Sequence, residues 1–529
     1  MSLLNLVLFV LKECGVILFG LLCLFLLIIF WILSLPIYLY RYLVCLCTKL
    51  FCKDTFGKPV TPLGNYFACE FLPSARKSPP RSTLIVTVVV DRPVSFESVK
   101  ESIEATWLGR DAKKFPELKQ YVDSWMGFLF WKNDHSFKLE NHLQPKKIEG
   151  ETDDELEENV CLFMEQLVNK TFHPKRSPWE CFVVQNYRNT ELQRDKTSTN
   201  VMTLLVFRFH HSLVDGYSIL KVIIESMMGI PLSTASLTPV SLTNKKDSPS
   251  NLTKKIVTNF TLVFRIVYEI CHFFALAFTG TTPWHVPLNK KKCGEHICRT
   301  KPIPVESIRN IKSKLGVSFT SVLMSCASAA ASRSFQLHHA KPEQNCRGRT
   351  MPTSIPLPRP DHPDKLRNHV TTTCLKLPTD PDLESLERLY KVDKVLRDGK
   401  GLLPLILPFF IALLGSHLAM IVQQITKNRH VSTAFSNFPG PGIQLEWEKG
   451  RVLTSDFAGG ALPGVAGVGF AILSFGDYLR IAITANSAVM ERNQVKELIT
   501  FFNDEIAILQ ELAMKQSGSV SQREVNTMV

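Results

Sequence analysis

The longest uninterrupted run of apolar residues lies close to the amino terminus. Cys14 to Tyr40 contains no charged residue, and about 20 apolar residues are enough for a helix to cross a bilayer. The 18 residues that follow carry Arg41, Lys49, Lys53 and Lys58 against one acidic residue, whereas the lysine and glutamate before the stretch cancel. By the positive-inside rule, this pattern predicts a retained signal-anchor helix that spans the membrane once and leaves the body of the protein in the cytosol.

Two further apolar stretches occur inside the body. In Ile256 to Phe278 the polar residues fall on one side of a helix and lysines flank the segment, which favours an amphipathic helix lying in the membrane interface. A core helix with one solvated face remains an alternative. Gly401 to Gln424 is uncharged apart from His417, and by length alone it could form a second span.

Between these stretches the pattern changes to short strands and amphipathic helices. Runs of β-branched and apolar residues predict strands, and apolar residues at helical spacing predict helices. The predicted strands are Leu84 to Val90, Glu180 to Gln185 and Met202 to Phe209; the predicted helices are Phe96 to Leu108, Asp153 to Val168 and Ser218 to Met228. Leu232 to Ser250 is rich in Ser, Thr, Pro and Asn and predicts a linker. The polar tail after Gln516 is expected to be disordered.

Composition narrows the class of partner. The 529 residues allow two or three domains, and the net charge of +13 suits nucleic acid, anionic lipid or an acidic ligand. None of the usual nucleic-acid motifs is present, so anionic membrane and the phosphates of coenzyme A are the preferred partners. The 14 cysteines have no disulfide rhythm, which favours a reducing compartment for the body.

Two groups of cysteines have special positions. Cys45, Cys47 and Cys52 lie where reversible palmitoylation occurs, although plain membrane-proximal thiols explain them equally well. Cys293, His296 and Cys298 form a tight cluster, but a zinc site requires a fourth ligand and none is evident. No metal is therefore predicted.

One short segment carries candidate chemistry. Phe209-His210-His211-Ser212-Leu213-Val214-Asp215-Gly216 follows a predicted strand and precedes a predicted helix. Neighbouring side chains on a strand point to opposite faces, so His210 and His211 do not enter one site together. A neutral imidazole with a pKa near ~6.5 can take a proton from an alcohol at cell pH. Asp215 is close enough to brace the loop, and Gly216 permits a sharp turn; a plain Asp-Gly turn is the bland interpretation.

This segment resembles the HHxxxDG signature of the coenzyme-A-dependent acyltransferase superfamily. Within the superfamily, the chain resembles the bifunctional wax ester synthase/diacylglycerol acyltransferase family. Further pieces match that family in order from Leu84 to Leu512: Phe137 to His142, Ser177-Pro178-Trp179-Glu180, Ile355 to Arg359, Arg367-Asn368-His369, and Ser436-Asn437-Phe438-Pro439-Gly440-Pro441. The chain departs from the family at Ser318-Phe319-Thr320-Ser321, where many members have Asn-Asp.

The resemblance implies an α/β fold of two chloramphenicol-acetyltransferase-like halves with a tunnel between them, in addition to the N-terminal transmembrane helix. It implies His211 as the general base, Asp215 as the residue that holds the loop, and His210 and Gly216 as structural support. Asn437 would lie near the tunnel, with a turn residue before Pro439 as the alternative. Acyl-CoA would be a co-substrate, and no cofactor would be permanently bound.

The expected domains follow from these elements. They are a membrane anchor with its basic flank at residues 1–58, a first half at 59–232, a linker and amphipathic helix at 233–300, a second half at 301–515, and a tail at 516–529. If Gly401 to Gln424 crossed the bilayer, His211 and Asn437 would lie on opposite sides of it. This stretch is therefore expected to be a buried or interfacial helix. A cytosolic body would also leave the sequons at Asn169, Asn251 and Asn259 without glycan.

The expected function is transfer of a fatty acyl group from acyl-CoA to a lipid alcohol, a long-chain alcohol or diacylglycerol, in the endoplasmic reticulum membrane. One alternative is a lipid-binding protein on the same fold, although the presence of His211, Asp215 and Gly216 argues against it. Another is an acyltransferase for soluble phenolic substrates. That class pairs HHxxxDG with Asp-Phe-Gly-Trp-Gly, of which Asp456-Phe457-Ala458-Gly459-Gly460 is a partial echo.

Overall fold

The computed structural model describes residues 3–75, 82–192, 201–231, 264, 266–268, 284–286, 293–339, 350–398, 403–425, 431–459 and 466–526. The predicted linker Leu232 to Ser250 and most of Ile256 to Phe278 lie outside these residues. Helices are numbered here in chain order: α1 Leu3–Phe51, α2 Pro62–Ala68, α3 Phe96–Ala105, α4 Asp153–Asn169, α5 Gly216–Leu220, α6 Val305–Leu315, α7 Phe319–His339, α8 Ser385–Asp398, α9 Leu403–Leu414, α10 Ala419–Ile425 and α11 Arg492–Asn526.

Sixteen strands accompany the helices in the described part of the chain. They are β1 Phe56–Pro59, β2 Thr83–Val90, β3 Gln120–Trp125, β4 Phe128–Asn133, β5 Leu143–Lys146, β6 Trp179–Tyr187, β7 Met202–His210, β8 Glu295–Arg299, β9 Ile303–Pro304, β10 Thr350–Pro358, β11 Val370–Pro378, β12 Thr433–Pro439, β13 Leu445–Trp447, β14 Gly450–Gly459, β15 Val468–Phe475 and β16 Tyr478–Asn486. The predicted strands and helices of the first half are all present, and π-helical turns extend α3 and α5 to Arg110 and Met227.

The first half is built on a six-stranded mixed sheet in the order β13-β14-β2-β7-β6-β5. Every residue of β2 and β7 is buried because both faces of the sheet are covered. Leu84, Val86 and Val88 face one core, whereas Ile85 and Val89 face a second core formed with α4. Covering both faces explains why β2 has a continuous rather than an alternating apolar pattern.

The second half is built on the sheet β11-β10-β12-β15-β16-β8, with β9 also paired to β16. Strands β10, β12 and β15 are parallel neighbours and the other pairs are antiparallel. Helices α6, α7, α8 and α11 contribute to its core. The expected α/β fold of two halves, each a mixed sheet covered by helices, is confirmed.

The halves are not independent along the chain. Strand β14 comes from the second half, yet it pairs with β2 of the first sheet over Leu84 to Val90. Strand β8 belongs to the second sheet although it precedes residue 301, and β1 crosses the expected boundary at residue 58. Sequence boundaries therefore do not coincide with sheet boundaries. Helix α11 runs on to Asn526, so the tail is helical rather than irregular over the described residues beyond Gln516.

Helix α1 is a single element of 49 residues, roughly 70 Å long at ~1.5 Å per residue. Among the described residues it is the one unbroken helix that is long and apolar enough to cross a membrane. The bent pair α6 and α7 passes the same test only when joined across a 100° bend, and many of its side chains lie in the core of the second half. Gly401 to Gln424 does not form one long helix, because it divides into α9 and α10 at Gly415 to Leu418.

Candidate active site

His211 lies immediately beyond β7, where both halves of the molecule meet its backbone. Its N–H donates to the carbonyl oxygen of Ser82 over 2.7 Å, which continues the pairing of β7 with β2. Its own carbonyl oxygen accepts a hydrogen bond of 2.6 Å from Nδ2 of Asn368, which belongs to the second half. The position of His211 is therefore fixed from two sides at the junction of the halves.

The imidazole of His211 stacks on the ring of Phe67 in α2, with centroids 4.2 Å apart and planes inclined by 13°. Burial lowers the pKa of His211 below its ordinary value, outweighing the charge of Asp215 and the contact with Asn368. The ring is therefore neutral at pH 7 and can accept a proton. Nδ1 is buried without a hydrogen-bond partner among the described residues, and His211 as a whole residue is partly exposed.

His210 points into a different environment. Its side chain is buried, and Nδ1 lies 3.1 Å from the backbone N–H and 2.8 Å from the hydroxyl oxygen of Ser212. Nδ1 accepts from that N–H, which leaves the proton on Nε2 to be donated to Glu70, 3.2 Å away. Phe71 packs against the ring at 4.5 Å. The two neighbouring histidines thus occupy separate surroundings, as strand alternation requires.

Asp215 holds the loop, and it also connects the halves. One carboxylate oxygen accepts from the N–H of Ser218, which caps α5, and the other accepts from the N–H of His369 over 2.7 Å. Nε2 of His362 lies 3.3 Å from the first oxygen. Burial alone would raise the pKa of Asp215, but His362 and these backbone donors hold it below its usual range. The carboxylate therefore remains charged beneath the loop.

Gly216 differs from its expected role. Its φ lies outside the left-handed region, so no sharp turn requires glycine here. A Cβ at this position would instead lie 3.3 Å from the ring of Phe438. The glycine allows the start of α5 to approach the end of β12 closely.

Asn437 lies on β12, next to Phe438. Its Nδ2 donates to the hydroxyl oxygen of Thr320 over 3.1 Å, so it meets the segment at which this chain departs from the family pattern. Ser321 in that segment donates to Asp393. Asn437 is thus one residue from the contact between β12 and the histidine loop, and it is held by α7 rather than by a turn.

Three site residues were not identified from the sequence as functional. Phe67 and His362 received no role, and Asn368 appeared only as part of a matching segment. No periodicity links Phe67 to His211, because their contact spans 144 residues of chain. Nδ1 of His296 lies 2.9 Å from Glu165, and no group of three His, Cys, Asp or Glu side chains that could hold a metal ion is found among the described residues.

Residues 366–510 match the WS/DGAT C-terminal domain family of known proteins. This region includes Asn368 and Asn437 but not the histidine loop. No curated protein matches the chain by sequence.

Solved structures with the same fold include the wax ester synthase/diacylglycerol acyltransferase of Marinobacter aquaeolei VT8, at 14% identity and a TM-score of 0.56 over 86% of this chain and 100% of that one. The TRI3 trichothecene 15-O-acetyltransferase of Fusarium sporotrichioides matches at 10% identity and a TM-score of 0.55. The match covers 86% of this chain and 94% of that one. The starter condensation domain of rhizomide synthetase RzmA, solved with C8-CoA, matches at 10% identity and a TM-score of 0.51. The match covers 88% of this chain and 95% of that one. The chain therefore matches the wax ester synthase/diacylglycerol acyltransferase family over residues 366–510 and shares the fold of these solved structures along most of its length.

Proposed function

We propose that the protein is a membrane-anchored O-acyltransferase that moves a fatty acyl group from acyl-CoA to a lipid alcohol, with His211 as general base. The observation that carries the proposal is a neutral, partly accessible imidazole at the junction of the two halves. A lipid-binding protein would have no use for a neutral base held at this junction by backbone contacts from both halves.

The reaction needs no covalent enzyme intermediate. Nε2 of His211 takes the hydroxyl proton while the alcohol oxygen forms a bond to the thioester carbonyl carbon. The tetrahedral intermediate then collapses, the carbon–sulfur bond breaks, and the imidazolium returns its proton to the coenzyme A sulfur. The product is an ester, and the base is regenerated. Asp215 does not contact the substrate in this scheme; its negative charge favours the imidazolium while it holds the loop.

We assign the acceptor to the class of membrane-dissolved alcohols, which gives wax ester from a long-chain alcohol or triacylglycerol from diacylglycerol. The apolar helix α1 supports this assignment, because a membrane anchor keeps an enzyme beside a substrate that does not dissolve in water. Placement in the endoplasmic reticulum membrane with a cytosolic body is part of the same proposal.

The test uses membranes that contain the full chain, with labelled acyl-CoA and four acceptors: a long-chain alcohol, diacylglycerol, monoacylglycerol and a sterol. We expect labelled ester with at least one of the first two, and none from His211→Ala membranes with the same amount of protein. Binding of lipid without ester formation from any acceptor would instead support the lipid-binding alternative.

Glycan mapping tests on which side of the membrane the body lies, but the three sequons are not equally informative. Nδ2 of Asn169 donates to the carbonyl oxygens of Glu165 and Glu295, so a folded body cannot carry glycan there on either side of the membrane. Asn251 and Asn259 lie outside the described residues. Glycan on either of these two would contradict a cytosolic body.

A further inference from the structure

The body of the protein reaches along α1 well inside its uncharged stretch. The ring of His417, between α9 and α10, lies 5.4 Å from Phe30 and 5.2 Å from Tyr38. Even if the hydrocarbon core covered only the first 20 residues of Cys14 to Tyr40, it would include Phe30. The turn between α9 and α10 is therefore at the depth of the membrane and not beneath it.

Beyond Tyr40, α1 has two different sides. Val44 and Thr48 are buried against the body, where Val44 packs with Phe56 and Phe128. The opposite side carries the large exposed apolar residues Tyr42, Leu43, Leu46 and Leu50, with the charged Lys49 among them. Phe51 is 80% exposed. An apolar outer face on a helix that already continues from a membrane-spanning stretch suits lipid and not water.

Exposed apolar side chains of the body lie next to this helix. Trp125 and Met126 form the tip of the β3–β4 hairpin, and Met420 and Ile421 begin α10; Met420 is 74% exposed. The N–H of Ala419 donates to the carbonyl oxygen of Gly127 over 2.9 Å, which joins these two pairs. The ring of Trp125 lies 5.5 Å from Phe56, which packs in turn with Val44 of α1.

The hairpin tip itself indicates selection for an apolar residue. Met126 and Gly127 have φ values of 50° and 83°, as in a two-residue turn with both central residues left-handed. Asn or Asp is favoured at the first of these positions. A methionine there accepts an unfavourable backbone conformation and projects an apolar chain outward.

This surface is one short helix away from the candidate base. Nδ2 of Asn65 in α2 donates to the carbonyl oxygen of Gly415 over 2.7 Å. The thiol of Cys69 donates to the carbonyl oxygen of Ala419, with its sulfur 3.5 Å from that oxygen. Between these two anchoring contacts, Phe67 presents its ring to His211. The turn between α9 and α10 is thereby joined to the residue on which the imidazole stacks.

We propose that Trp125, Met126, Met420 and Ile421, together with the outer side of α1 beyond Tyr40, form a lipid face immersed in the adjoining leaflet of the bilayer, and that the acceptor alcohol passes from this face to His211. The occupant is the bilayer itself, because the face is continuous with α1. The passage of the acceptor rests on the catalytic activity proposed above, whereas the lipid face rests only on the membrane anchoring of α1.

Bromine-labelled lipid tests immersion without reference to catalysis. The full chain is reconstituted in phosphatidylcholine vesicles with and without bromine on the acyl chains, and the emission lost in Trp125→Phe is taken as that of Trp125. We expect brominated lipid to quench the emission of Trp125. The emission of Trp447, obtained in the same way from Trp447→Phe, should not be quenched, because Trp447 is buried in the first half. Emission from Trp125 that resists brominated lipid but is quenched by aqueous acrylamide would overturn the lipid face.

Acceptor choice tests the route. Met420→Asp should lower kcat/KM about tenfold for a long-chain alcohol dissolved in the vesicle, since one large apolar side chain leaving lipid changes an equilibrium by about that factor or more. The same variant should leave transfer to a short, water-soluble alcohol unchanged. The matched control is Met514→Asp in α11, a methionine of the second half that is 60% exposed, which should alter neither.

Equal losses with both alcohols, or no loss with either, would overturn the route. A wild-type protein that transfers acyl groups to neither alcohol would refute the proposed function, while the quenching result would still decide whether the lipid face exists.

Discussion

At the scale of single residues, the site separates the two neighbouring histidines by their surroundings. His211 combines a lowered pKa with partial exposure and an Nδ1 that has no partner among the described residues, whereas both ring nitrogens of His210 are used by Ser212 and Glu70. His211→Ala and His211→Gln should therefore both reduce turnover by about 10²–10⁴-fold, because an amide cannot take up a full proton. Labelled ester formed per folded protein measures the effect, and His338→Ala, a histidine paired with Glu497, should be normal.

His210→Ala should act on folding instead. Removing the ring leaves Glu70 without this donor inside a largely buried cluster, so less folded protein should be recovered and its melting temperature should fall. A His210→Ala protein that is folded but inactive, beside a His211→Ala protein with near-normal turnover, would mean that the two roles are exchanged.

Asp215→Asn should have an intermediate effect. Both oxygens of the carboxylate accept from backbone N–H groups, of Ser218 and His369, so an amide must direct its NH₂ group toward one donor. The lost bond should destabilise the protein by about 1–3 kcal/mol and lower turnover less than His211→Ala does. Thermal melting and ester formation measure the two effects. Asp504→Asn, at an exposed carboxylate, serves as control; unchanged melting with complete loss of turnover would place Asp215 among the reacting groups.

The sequence predicted the polar residues of the site better than its packing. His211 and Asp215 lie where the two halves meet, because the motif specifies a strand end, a loop and a helix cap that local chemistry alone defines. Phe67 and Asn368 could not be assigned in this way. Phe67 reaches His211 through α2, and Asn368 through the loop before β11, so each contact depends on the tertiary fold and leaves no local pattern.

At the scale of elements, the turn between α9 and α10 determines where α2 lies. A Cβ on Gly415 would stand 2.2 Å from the carbonyl oxygen of Pro62, a separation that requires the backbone to move. Gly415→Ala should push α2 outward and shift Phe67 away from His211. We expect a lower melting temperature and lower ester formation.

Gly442→Ala is the matched control, since no heavy atom lies within 4 Å of its added Cβ, and it should behave like the wild type. If Gly415→Ala kept both the wild-type melting temperature and turnover, α2 would not be positioned by this turn. The link between the lipid face and the base would then lose its structural basis.

Element types were predictable where element partners were not. The apolar run of β2 and the helical spacing of α4 were evident from the sequence, and the structure has both elements. The pairing of β14 with β2 was not evident, because alternation along a strand shows that it is covered and not which sheet it joins. Helix α1 was expected to end its span near Tyr40, and the structure continues it to Phe51 because its inner side packs on the body.

At the scale of the whole molecule, a buried ionic network joins the two halves on the α4 side. Glu157 of α4 contacts Arg299 of β8 at 2.7 Å and Arg480 of β16 at 3.2 Å. Arg299 and Arg480 also pair with Asp456 of β14. Tyr187 and Asn189 of the first half donate to Glu157 as well. This arrangement ties the first half to strands of the second and to the strand that the second half contributes to the first sheet.

The charge of Glu157 in this network makes the stability of the protein depend on pH. Burial alone would raise the pKa of Glu157, but Arg299 and Arg480 lower it far below its usual range. A carboxyl group whose folded-state pKa is depressed stabilises the protein fully at pH values above its unfolded pKa of about 4.3. This contribution declines progressively below that pH and is lost only as pH approaches the much lower folded-state pKa. Glu157→Gln removes the charge and keeps the volume, so it should cost on the order of 3 kcal/mol at pH 7. Melting temperatures of both proteins should differ by a nearly constant amount from pH 7 to pH 5, and the difference should narrow below about pH 4. Glu149→Gln, at an exposed carboxylate paired with Lys147, should follow the wild type throughout. A difference between wild type and Glu157→Gln that does not narrow between pH 4 and pH 2 would show that the loss comes from packing and not from the ion pairs that hold the halves together.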